Sequence, residues 1–443
     1  RNADRDTMKL PNWVEKRTIM ERVNQKKSQK GVEGNLPQHL QEPDFAPDLS
    51  QMTPDLMRYL QRTIGNSATR EVINRFQVPV SRQMNPSVVQ RAATGLAQTL
   101  PTASVAAAGH AFVNNPDNAD KHPRELVNAI MSAINAELRA ISVPETSVSL
   151  NDAGGNLGTF SFDTWTIDLS PSAVFNNKTK ISDLTEAEAA EAVNTLHHES
   201  RHCEQWYRMA RLLAGKLLNV PTSILGAIVQ VATVAIQISN DMGIPARIAL
   251  VAAMNPLYNT GSQESAEAQA WYDSVYGANA AYRGLILGSL RTAVRPLTGQ
   301  LNDLLSAVRL KNAATTDYDR ETSQTEVDNY IATVNNQLAD VYTVRDGALQ
   351  AEYTRLSGIS TRNAIENTMF AHAGNLINII DQIRAVTLSE TTAGALRTLV
   401  LQLSSERYQA YHDLPEEDDA HAVGDAAGAV YQAGASVAPT API

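Results

Sequence analysis

Residues 195–211 read TLHHESRHCEQWYRMAR, and within them His198-Glu199-Ser200-Arg201-His202 forms an HExxH motif. In a helix, residues four apart share one face, so His198 and His202 can aim imidazole nitrogens at one metal ion. Glu199 lies one residue on, rotated by about 100°. Its carboxylate then reaches a water on the metal rather than the metal itself. Zinc makes such a water more acidic, and the glutamate can take its proton and hand it to a leaving amine. A chance pairing among the chain's nine histidines would write the same letters. Arg201 also departs from the uncharged middle residues usual in zinc-binding helices of this pattern. The context favours a metal site: a cap signal before the motif, a strand signal upstream and glutamates downstream.

A catalytic zinc takes three protein ligands and leaves one position for water. Two downstream segments compete for the third place. GSQESAEAQAWYDSVYG offers Glu264 and Glu267, and YQAYHDLPEEDDAHAVG offers Glu416 and Glu417. Glu267 and Glu417 each have an alanine three residues later, which lets two helices approach closely. Spacing alone does not choose between them. Tyr411, His412 and His421 flank the second segment and are candidates to stabilise an oxyanion. Asp418 or Asp419 can accept a hydrogen bond from a ligating imidazole. His197 faces another side of the helix, as a surface residue or a support for a ligand. Cys203 reads as a buried thiol, and Trp206, Tyr207 and Met209 as core packing.

These residues need a rigid helix to carry them. Thr185 and Glu188 form a T-x-x-E capping box at its start, and Gly215 is the expected stop. Before it, SVSL, the turn-like NDAGGNLG and TFSFDTWTIDLS alternate like two strands of a hairpin, with Gly154-Gly155 in the loop. Residues 120–141 read as an amphipathic helix, with Leu126, Ile130, Ile134 and Leu138 at four-residue steps. Shorter helices are expected from Thr53 to a stop at Gly65 and from about Pro86 to Gln98. The 118 residues from Leu297 to Leu414 contain no proline and predict several long packed helices. Residues 1–50 are basic at first and then broken by Pro37, Pro43 and Pro47, which predicts an extended arm. The Ala/Gly-rich last twenty residues are expected to fray.

Charge and composition bound the rest. With 37 Lys+Arg against 47 Asp+Glu, the net charge of −10 argues against a nucleic-acid partner. Cys203 is the only cysteine, which excludes an internal disulfide and a cysteine-based zinc or iron–sulfur site. That thiol usage fits a reducing cytosol. The first thirty residues hold nine Lys/Arg and four Asp/Glu without an apolar run, so no secretory signal is expected there. The longest uncharged run, Leu217 to Asn240, is divided by Pro221 and diluted by Gln230, Thr233, Gln237 and Asn240. It predicts a buried helix rather than a membrane span.

HHESRHCEQWYRMAR together with AYHDLPEEDDAHAVG resembles a group of bacterial zincin-like metallopeptidases of the gluzincin kind. Their pattern runs HE-x-RH, then Gln and an aromatic, then a late Tyr-x-x-Leu-Pro-x-Glu-x-x-Ala. The resemblance implies Glu417 as third ligand, makes the WYDSVYG helix structural and accommodates Arg201. His421 stands where that group often has tryptophan. A second segment, LMRYLQRTIGNSATREVI, is similar over eighteen residues to one found in cargo proteins of extracellular contractile injection systems. Those cargoes often carry a zincin domain.

The expected protein is therefore mainly α with a small β-hairpin or sheet, an α+β zincin-like core followed by a long C-terminal helical bundle. The expected division is 1–100 for the arm, a loading or docking segment, 101–295 for the core, and 296–443 for the bundle that returns a metal ligand. The expected activity is zinc-dependent peptide hydrolysis, with His198, His202 and Glu417 on Zn2+, Glu199 as base and Tyr411 assisting. The expected partners are a polypeptide substrate and the tube or lumen of an injection particle, with the chain cytoplasmic in its producer before delivery. Two readings compete: a non-catalytic structural or binding cargo with a vestigial metal site, and a helical interaction protein whose HExxH is accidental.

Overall fold

A computed structural model describes residues 95–151, 156–218, 224–258 and 261–434. By their contacts they all belong to the unit Met52–Ile443. The arm, the helix expected from Thr53, most of the one expected from Pro86, the Gly154-Gly155 loop, Pro221 and the end of the tail lie outside them.

The described chain is mainly helical with one three-stranded sheet. Its elements are α1 (Thr99–Val113), α2 (Pro123–Ala140), β1 (Ser147–Leu150), β2 (Gly158–Ser161), β3 (Thr166–Leu169), α3 (Pro171–Phe175), α4 (Glu186–Leu217), α5 (Ile224–Met242), α6 (Ala246–Met254) and α7 (Gln263–Val275). Then follow α8 (Ala280–Gly284), α9 (Leu290–Ala313), α10 (Asp317–Val344), α11 (Gln350–Ser357), α12 (Ala364–Ala385), α13 (Ala393–His412) and α14 (Pro415–Gln432). None of the described helices is long and apolar enough to cross a membrane.

The expected cap of α4 is present in full. Thr185 N–H donates to Glu188 at 2.7 Å, and Glu188 N–H donates to the Thr185 hydroxyl at 3.2 Å. The four-residue rhythm of α2 is equally literal, since Leu126, Ile130, Ile134 and Leu138 are all fully buried. Around α4 these elements build one apolar core, to which α14 contributes Val423, Ala427 and Tyr431. A second core, from Tyr282 to Leu414, is made by α8–α13. The chain thus leaves the first core after α7, builds a bundle and returns to the first core in α14.

Four expectations need correction. The hairpin lies wholly within TFSFDTWTIDLS: β2 pairs antiparallel with β3, and SVSL, as β1, pairs parallel with β3 on its other side. Alternation assigns faces to a strand but does not name its partner. Gly215 does not end α4, which continues to Leu217. A Cβ there would lie 2.2 Å from the Leu257 carbonyl oxygen, so the glycine serves close backbone approach. Of the helix expected to end at Gln98 only the last four residues are described, and they are not α-helical: Gly95–Ala97 form a 3-10 turn, and α1 starts at Thr99. Both expected domain boundaries fall inside helices. Pro101 sits in the first turn of α1, where a missing N–H costs nothing, and Pro296 lies within α9.

Gly215→Ala tests the close approach. The added methyl must displace the Leu257 backbone, and overpacking of this kind costs about 1–3 kcal/mol. Chemical denaturation should show that loss, whereas unchanged or increased stability would mean the helix propensity of alanine dominates instead.

Candidate metal centre

Every residue of α4 from Thr195 to Ala214 is buried, so its charged side chains must find partners inside the protein. Arg201 forks onto Asp419 of α14, with Nε to Oδ2 at 2.7 Å and Nη2 to Oδ1 at 3.0 Å. Its Nη1 donates to Glu204 at 2.5 Å, and its guanidinium lies 5.2 Å from the Trp271 ring. The residue that looked out of place in the motif is thus a tie between helices.

Small residues let α14 lie against α4, running antiparallel to it. A Cβ on Gly424 would meet Asn194 Oδ1 at 2.4 Å and His198 Cβ at 2.9 Å, and one on Gly428 would meet Asn194 Cβ at 3.2 Å. Ala420, expected to make this room, is fully buried there. Pro415 occupies the first turn of α14, and Glu417 follows two residues later.

This packing brings Glu417 to the two histidines. Its Oε2 lies 3.4 Å from His202 Nε2 and 3.9 Å from His198 Nε2. Two nitrogens or oxygens held tetrahedrally at about 2.1 Å from zinc are about 3.4 Å apart. Each of the two Glu417–histidine distances is thus of the size that a shared metal ion requires. Two triads have ligand atoms within 4.8 Å of one another, His198–Glu199–His202 and His198–Glu417–His421. The other candidate glutamates are otherwise engaged: Glu264 with Arg211 at 2.6 Å, Glu267 with Arg208 at 3.1 Å, and Glu416 with Arg283 at 2.6 Å.

The surroundings orient each group. His202 Nδ1 bonds to Gln205 Oε1 at 2.8 Å. The Gln205 amide in turn donates to the Glu416 carbonyl at 2.8 Å and to Asp419 Oδ2 at 2.7 Å. The expectation that Asp418 or Asp419 holds an imidazole directly is therefore corrected: Gln205 does so, and Asp419 holds Gln205. Asp418 is exposed. His198 bonds to the backbone of Ala420. Glu199 Oε2 accepts the Phe160 amide of β2 at 2.7 Å, which leaves Oε1 4.0 Å from His198 Nε2. The Tyr411 hydroxyl donates to Glu417 Oε2 at 2.7 Å. His412 lies flat against His421, with ring centroids 4.3 Å apart. His197 is fully buried in the core rather than on the surface. Cys203 is buried, as expected.

Burial drives the electrostatics. It raises Glu199 to about 7, and it lowers His198 to about 3 with help from the neighbouring His202. Burial pushes His202 down too, but the Glu417 carboxylate overrides it and lifts this imidazole to about 9. The same pairing holds Glu417 well below the usual carboxylate range against the opposing effect of burial.

Comparison with protein-family models, with curated proteins and with solved structures finds no match to this chain. The site's geometry therefore stands by itself.

Two measurements follow from this geometry. Gln205→Leu removes the acceptor that orients His202 and should weaken Zn2+ binding about 10- to 100-fold. A competition titration with a chromophoric chelator reads this, and an unchanged affinity would deny Gln205 that role. The second concerns pH. His202 carries its proton below about 9 and must lose it to bind a metal. The chelator-corrected Zn2+ affinity should rise about tenfold per pH unit between pH 7 and 9 and then flatten. An affinity independent of pH over that window would contradict the His202–Glu417 pairing.

Proposed function

We propose that this chain is a zinc-dependent metallopeptidase of the zincin kind, with His198, His202 and Glu417 as the metal ligands and Glu199 as the general base. One observation carries the reading: Glu417, 215 residues beyond His202 in sequence, approaches both motif histidines with the same carboxylate oxygen. Two imidazoles and a carboxylate around one point form the donor set of catalytic zinc in hydrolases. Zinc, when bound, supplies a Lewis acid that makes water a nucleophile at neutral pH and polarises a carbonyl.

The chain's own groups do the rest. Phe160 of β2 holds one oxygen of Glu199 and leaves the other beside the histidines, where it can accept a proton from a metal-bound water. The Glu199 carboxyl, raised to about 7 by burial, is matched to taking a proton near neutral pH and releasing it to an amine. Strand β2 is an outer strand of the sheet, and strands of this kind can align an extended peptide by backbone hydrogen bonds. This supports polypeptide as the substrate class. Tyr411 reaches the ligand oxygen of Glu417, from where its hydroxyl can turn toward a developing oxyanion. The resemblance of residues 56–73 to injection-system cargoes supports delivery by such a particle as the context of the activity.

The test is a single isosteric change. Glu199→Gln should retain one zinc per chain and lose peptide hydrolysis by about 10²- to 10⁴-fold. Hydrolysis at the wild-type rate in Glu199→Gln would refute the mechanism. A zinc-loaded wild-type chain inert toward a diverse peptide library would favour the non-catalytic cargo reading instead.

A further inference from the structure

We propose that His421 is a fourth protein ligand of the same ion, one that closes the coordination position a hydrolase otherwise leaves open and that must be displaced for turnover. The inference rests on the metal centre described above and deepens it. Glu417 and His421 stand four residues apart on α14, as His198 and His202 do on α4. Residues at that spacing share a helix face. Two antiparallel helices thus present two pairs of donors to one another, and the ligand atoms of His198, Glu417 and His421 lie within 4.8 Å. The His198 and His421 rings meet edge to face with centroids 4.5 Å apart.

Two further observations point the same way. His421 Nε2 is buried and has no hydrogen-bond partner. A buried polar atom left in that state calls for an explanation, and a missing ion is one of the ordinary ones. The His421 ring is also held in place from behind, stacked on His412 at an interplanar angle of 10°.

The chemical consequence is specific. Four protein ligands make a closed, structural zinc site, whereas three and a water make a catalytic one. With His421 bound, the ion has no vacancy for water. The ring is only half-buried, so it can rotate away and leave His198, His202 and Glu417 as a three-ligand centre. His421 would then act as an internal ligand in competition with water and substrate.

The full-length chain, stripped of metal and titrated with Co2+, tests this by visible absorption. The wild-type chain should bind one Co2+ with the intense bands of a four-coordinate site, little altered by added azide. His421→Ala should bind Co2+ about tenfold or more weakly, with shifted bands that azide perturbs further. His421→Gln, which keeps bulk against His412 but offers no imidazole, should show the same shift. Wild-type spectra in both His421 variants would overturn the proposal. Failure of the wild-type chain to take up Co2+ would overturn the metal centre as well.

Discussion

A stretch of helix buried on all sides, Thr195 to Ala214 of α4, yet carrying arginines and glutamates, sets the terms for the whole molecule. Unpaired charges in such surroundings are strongly destabilising, so α4 folds only where partners come to it. Asp419 answers Arg201 from α14, while Glu264 and Glu267 answer Arg211 and Arg208 from α7. Leu96 adds a backbone N–H to Glu204 at 2.9 Å. The cluster of histidines and glutamates that could hold a metal ion is a by-product of that pairing. Asp419 cannot fork onto Arg201 without bringing Glu417, on the same helical turn, over the motif histidines. Gln205 locks the two layers together, because one amide serves His202, Asp419 and the Glu416 backbone.

The bundle from Tyr282 to Leu414 is best understood as a long, stiff connection. It has its own apolar core and so needs nothing from the first one to hold its helices together. Its ends are nevertheless fixed to the site. Arg283 at its start pairs with the fully buried Glu416, and Tyr411 at its end bonds to Glu417. Both contacts fall on the first turn of α14, so the position of the third donor is set by the bundle's two ends together.

Local signals were legible in the sequence, and long-range ones mostly were not. The capping box at Thr185, the four-step pattern of α2 and the HExxH spacing all depend on neighbours within a turn or two. Each appears in the structure. The parallel pairing of β1 with β3 was hidden because alternation carries no partner information. Gly215, Gly424 and Gly428 are spaced for backbones that arrive from distant segments, and a glycine in isolation reads as a stop. Arg201 looked like a defect of the motif because its partner is 218 residues away. The choice of Glu417 over Glu264, Glu267 and Glu416 came from resemblance, not from spacing. The structure gives it a physical basis by assigning an arginine to each of the other three.

The central claim is that one carboxylate from the far end of the chain completes the histidine pair. Metal content of purified Glu417→Ala and Glu267→Ala, each loaded with zinc, dialysed and measured by mass spectrometry beside the wild-type chain, tests it most directly. The account predicts about one zinc per chain in the wild type and in Glu267→Ala, and well under one in Glu417→Ala, because a pair of imidazoles alone holds zinc weakly. Retention of zinc in Glu417→Ala with its loss in Glu267→Ala would contradict the account and move the third donor to α7.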